Sequence, residues 1–102
     1  MTKCKITVVK RTINKELIEE YVSDTRENFD LCPVYQEGQE FLLEKFPSKP
    51  EGFCDWAWAD IHRDVVAIMF GADMPWIKEP GHAITCCTDG LRPVIFHVEK
   101  LD

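Results

Sequence analysis

Five cysteines and three histidines are the side chains of this 102-residue chain best suited to chemistry. None stands at a spacing that completes a known signature. There is no C-x-x-C, so neither a zinc knuckle nor a dithiol redox motif is signalled, and the odd number argues against a disulfide framework. Cys54 is the first candidate. It follows the Pro50-Glu51-Gly52 turn, which should set it at the N-terminus of a long helix. Unpaired N–H groups and the positive dipole end stabilise a thiolate there, making a nucleophile or a metal ligand. The competing reading is a small buried residue filling space beside Phe53, since unpaired cysteine is among the most buried residue types.

Cys32, ahead of Pro33, is a second thiol able to reach the same place, and one of Cys86 and Cys87 is a third. Three thiolates from separate loops would suit zinc or iron, with His62, His82 or His97 as a fourth ligand or the fourth position open. Cys4 reads as incidental. In TCCTDGLRP, neighbouring strand residues point to opposite faces, so Cys86 and Cys87 should not act as a pair. Cys86, on the side of Ile84, is expected to face the interior, with Asp89-Gly90 supplying the turn.

Proton transfer has two candidates. Asp60 sits within WAWADIH, the most apolar part of the chain, where partial desolvation would raise its pKa; the plainer alternative is an ion pair with Arg63 or a lysine. His82, after Pro80-Gly81, is the histidine best placed to act in a pocket. His97 lies on the strand side opposite Val94, Phe96 and Val98, and His62 reads as a surface residue. Trp56 and Trp58 point about 200° apart on a helix, so one suits the core and the other a pocket or an interface between copies. Trp76 is expected to wall an apolar pocket.

These residues need elements to position them. KITVVKRT, residues 5–12, alternates as a strand with Ile6 and Val8 on one side and Val9 on the other. Asn14 is a plausible N-cap for NKELIEEYVSD, whose stripe is Leu17, Ile18, Tyr21 and Val22. A polar loop, SDTRENFDLCP, leads to a turn at Glu37-Gly38 and a strand over 39–45. FCDWAWADIHRDVVAIMFG contains no breaker before Gly71 and is the main helix, with Phe53, Ala57, Ile61, Val65 and Ile68 on one face. So apolar a helix should be covered on most sides. ADMPWIKEPGH is an irregular connection that reads as a lid or pocket wall. Two strands, 83–87 and 94–100, close the chain as a hairpin. The order β-α-β-α-β-β specifies one α+β domain over 1–102: a small, mainly antiparallel sheet or partial barrel with two helices.

Composition narrows the partners. Apolar residues make up 45% and charged ones 29%, as in an ordinary globular domain. A net charge of −6 disfavours nucleic acid and anionic membranes. MTKCKITVVKRT lacks the apolar core of a signal peptide, so a cytoplasmic location with reduced thiols is expected.

KITVVKRT, CPVYQEGQEF, PEGFCDWAWADI and MPWIKEPGHAITCCTDGLRPVIF together resemble an uncharacterised family of small prokaryotic proteins. The resemblance runs over almost the whole chain, in the order C-P…G-x-E-F, G-F-C and C-C-x-D-G-L-R-P-V. Cys32, Gly38, Phe41, Cys54 and Cys86 or Cys87 stand at the shared positions. Shorter members have C-x-x-G-H where this chain reads Cys32-Pro33-Val34-Tyr35, so no histidine ligand carries over. The resemblance implies a small cytoplasmic domain and brings no catalytic or binding residue with it. The leading expectation is a cysteine-lined site for a metal or small ligand. Its rivals are a thiol enzyme using Cys54 with Asp60 or His82, and a homo-oligomerising or partner-binding module built on the Trp-rich helix.

Overall fold

The computed structural model describes residues 2–23 and 30–101; part of the polar loop expected after residue 22 lies outside them. Strand β1 (Lys3–Arg11) is followed by helix α1 (Lys15–Tyr21), strand β2 (Glu40–Leu43), helix α2 (Asp55–Met69) and strands β3 (His82–Cys86) and β4 (Val94–Leu101). The strands form one open antiparallel sheet in the order β2-β1-β4-β3. The α+β class and the element order therefore stand, with an open sheet rather than a partial barrel.

Alternation in the strands divides the sheet into two faces. Cys4, Ile6 and Val8 of β1, Phe41 and Leu43 of β2, Ala83 of β3 and Val94, Phe96 and Val98 of β4 are buried on one of them. Helix α2 packs on this face with Ala57, Ile61, Val65, Ile68 and Met69, its i, i+4 stripe. Tyr35, Phe41, Phe53 and Phe96 add an aromatic cluster with ring centroids 4.9–6.1 Å apart, edge-packed except for the tilted Phe53–Phe96 pair. Such rings contribute both area and directional quadrupole contacts. A register shift between Val8 and Lys10 lets β1 bulge and leaves Val9 outside the core.

Three expectations about packing need correction. Helix α2 is covered on one side rather than on most, for Trp56, Ala59, His62 and Arg63 stand exposed. In α1 only Ile18 is buried, because seven residues make two turns and the helix packs on no strand. Asn14 flanks α1, but its side chain makes no cap; Nδ2 donates instead to the Gly90 carbonyl at 2.7 Å. No helix of the described residues is long and apolar enough to cross a membrane.

Candidate functional site

Three segments meet beyond the end of α2 that bears its first turn. Gly52, at φ +82°, turns the chain, and the Phe53 N–H donates to the Pro50 carbonyl at 3.2 Å. That turn makes Cys54 the N-cap residue of α2, as expected from the sequence. The Cys54 N–H donates to Tyr35 Oη at 3.0 Å, which joins the helix start to the segment carrying Cys32. Arg11, at the end of β1, holds that segment from its other side. Its guanidinium donates to the Cys32 carbonyl at 3.1 Å and contacts Glu37 at 3.5 Å.

The third segment is the β3–β4 hairpin. Cys87 N–H donates to Val94 O at 3.1 Å, and Val94 N–H returns a contact to Cys87 Sγ at 3.3 Å. Asp89 Oδ1 accepts from the N–H groups of Leu91 and Arg92, an Asx turn that shapes the loop without a left-handed residue. Asp60 ties this loop to α2. Its carboxylate accepts from Thr88 N–H at 2.7 Å and from Thr88 Oγ1 at 2.9 Å. Trp56 Nε1 donates to the same hydroxyl at 3.1 Å.

Between these segments lies a pocket of about 500 Å³ whose walls include Cys32, Tyr35, Cys54, Trp56, Cys87 and Arg92. Its lining is mostly apolar, with polar groups supplied by Thr88, Asp89 and Arg92 at the hairpin. That size and character belong to small-molecule sites. Cys32, Cys54 and Cys87 are joined by no disulfide. Burial pushes the Tyr35 phenol well above its usual range, so it stays neutral.

Cys86 is a correction. The inward side of β3 carries Ala83 and, past the strand end, Cys87, which is 7% exposed. Cys86 pairs with Ile95 on the other face, together with the exposed Ile84. Its Sγ–H donates to the Cys87 carbonyl at 2.9 Å. Burial raises its pKa, with the Cys87 thiol and the Asp60 carboxylate adding to the effect. Parity misassigned the pair because Ile84 is the larger apolar residue, whereas the surface facing α2 takes the small Ala83. Cys4 is also more than incidental: it is wholly buried in β1, and desolvation pushes its pKa up to about 11.

Other expected site residues lie elsewhere. Trp76 is 77% exposed and does not line the pocket. Asp60 does not line it either; its carboxylate is committed to Thr88. No histidine is in the lining. His62 contacts the Pro47 carbonyl, while His82 opens β3 and meets His97 on the helix-free face. Of the connection over 72–81, Ile77, Lys78 and Glu79 wall a different, smaller depression beside those two histidines. Among the described residues, one group of three His, Cys, Asp or Glu side chains places ligand atoms within 4.8 Å of one another: His82, His97 and Glu99. The cysteines share a pocket without forming such a set. The histidine group was missed in the sequence, where the one available signal was that His97 and Glu99 share a strand side.

Comparisons of the chain with family models, with curated proteins and with solved structures give no match.

Proposed function

We propose that this protein binds a small, largely apolar ligand in the pocket walled by Cys32, Cys54 and Cys87. The observation that carries the reading is the convergence of three thiols, from three separate segments, on one apolar pocket of about 500 Å³. Thiols are polarizable and weakly hydrated, so they favour ligands with apolar or soft surfaces. Arg92 and Asp89 at the hairpin would orient a polar end. A cytoplasmic location, which keeps thiols reduced, goes with this reading.

A small ligand is favoured over a metal here because the three thiols do not cluster at chelating distance. The enzymatic alternative, with Cys54 as nucleophile, has less support. Neither His82 nor Asp60 lines the pocket, so neither stands beside Cys54 as a base.

Anilinonaphthalene sulfonate, with an apolar body and one anionic group, is a suitable probe. It should bind saturably at one site per chain and slow the alkylation of Cys32 and Cys54 by bromobimane. Val34→Trp places an indole at the pocket wall from a half-exposed position. It should weaken binding about tenfold or more, equivalent to 1.4 kcal/mol. The reading fails if there is no saturable binding, or if alkylation is as fast with the probe as without it.

A further inference from the structure

On the face of the sheet that α2 does not cover, β3 and β4 bring two imidazoles together. His82 stands opposite Glu99 in the ladder, and Ile84 opposite His97. The histidines are thus diagonal neighbours, within reach for side chains of this length. His82 Nδ1 and His97 Nε2 are 2.8 Å apart, with rings inclined by only 19°. Each ring turns its other nitrogen toward a carboxylate. His97 Nδ1 is 3.3 Å from Glu99 Oε2, and His82 Nε2 is 3.6 Å from Glu79 Oε2. Both imidazole side chains are about a quarter exposed, and with Ile77, Lys78, Glu79 and Ile84 they line a depression of about 250 Å³.

The row carboxylate–imidazole–imidazole–carboxylate has three contacts that each call for a proton, while two neutral imidazoles carry two N–H groups between them. A cation in the central gap removes the shortfall. Each outer nitrogen then keeps its N–H and donates to its carboxylate, and both inner nitrogens are left as electron-pair donors. A carboxylate behind each ring is also the usual surrounding of a metal-ligating histidine, fixing its tautomer and raising its basicity. We propose that His82 and His97 bind a divalent transition-metal ion through Nδ1 and Nε2 respectively, with Glu99 and Glu79 as the supporting carboxylates. Imidazole donors select zinc, nickel, copper or cobalt over magnesium or calcium. Metal–nitrogen bonds of 2.0–2.1 Å in tetrahedral geometry put the two nitrogens roughly 3.3 Å apart. The pair therefore has to open by about half an ångström, a small rotation for rings that are about a quarter exposed. The remaining positions face the depression and are open to water or to a ligand atom. This site is independent of the thiol pocket, which lies on the other face.

Cobalt(II) tests the assignment, because thiolate ligation adds an intense near-ultraviolet charge-transfer band that imidazole and carboxylate ligation does not. Titration of the reduced protein should give one bound cobalt per chain, with visible ligand-field bands and no thiolate band. His82→Gln and His97→Gln should each abolish binding. Glu99→Gln should weaken it 10–100-fold, the usual cost of losing a supporting carboxylate. The combined Cys32→Ser, Cys54→Ser, Cys87→Ser variant should bind as the unaltered chain does. The assignment is overturned if cobalt does not bind at millimolar concentration, or if binding survives both histidine substitutions. It is equally overturned if the bound cobalt shows a thiolate band that disappears in the serine variant. Probe binding in the thiol pocket is measured separately and can fail or succeed on its own.

Discussion

The two faces of one four-stranded sheet carry different chemistry. On the face under α2, the residues are apolar, and the thiols of Cys54 and Cys87 lie at the end of that core, beside Cys32. On the other, Lys5, His82, Ile84, His97 and Glu99 alternate with the buried set and meet no helix. The pocket thiols and the imidazole pair therefore lie on opposite sides of the sheet, although Cys87 and His82 are five residues apart in one chain segment, and Cys86 is the one thiol of β3 on the histidine side. The boundary passes between Cys86 and Cys87. A one-residue slip of β3 against β4 would exchange the faces, bringing His82 under the helix and exposing Ala83. Burial of α2 against small Ala83 opposes that slip, since an imidazole there would need volume and hydrogen-bonding partners that the core lacks.

The contrast can be broken most directly by mutating across it. Phe96→Ala removes a fully buried ring from the aromatic cluster and should cost about 3–5 kcal/mol in urea unfolding. Ile84→Ala, on the uncovered face, should stay within about 0.5 kcal/mol. Comparable losses at both positions would mean that the open face is itself packed against something. A smaller effect comes from pH. The Cys4 thiol ionises near 9.0 when unfolded and near 11 when folded, chiefly because burial penalises the thiolate. The unfolded chain therefore releases its proton first, and stability present below pH 9 is lost as pH rises toward 11. Two pH units correspond to about 2–3 kcal/mol. Cys4→Val should flatten the decline between pH 9 and 11; an unchanged slope would assign it to other groups. Smaller again is Asp60→Ala, which removes two exposed hydrogen bonds between α2 and Thr88 and should cost about 1–2 kcal/mol. Probe binding should persist in that variant, and its loss would draw Asp60 into the pocket's function.

Much of the architecture was legible because local signals agreed with the tertiary outcome. The Gly52 turn put Cys54 at the start of α2, and alternation in VIFHVEK put His97 opposite Val94, Phe96 and Val98. Parity failed at Cys86, where the choice between faces depended on which side received the helix rather than on residue size. Only strand pairing could reveal that His82, already a candidate by itself, stands beside His97 and Glu99. Seventeen positions separate His82 from Glu99 in sequence, and they become neighbours through the β3–β4 register. Pro80-Gly81 ahead of His82 reads locally as loop, which concealed a strand start. Tyr35 was equally hidden: nothing local marks the loop tyrosine that receives the Cys54 N–H and centres the aromatic cluster.

The sheet's central pair joins the first strand to the last, β1 against β4, with Lys3 opposite Leu101 and Arg11 opposite Val94. Both edge strands dock onto partners that are complete only when this distant pairing has formed. Closing so long a loop must precede most of the contact energy, which places the chain among slow-folding, non-local topologies rather than fast helical ones. During synthesis β1 must wait for nearly the whole chain before its central neighbour exists. Until then its inward row of Cys4, Ile6 and Val8 is an exposed apolar edge, available to other chains. Refolding yield should accordingly fall as protein concentration rises, long before native stability is in question.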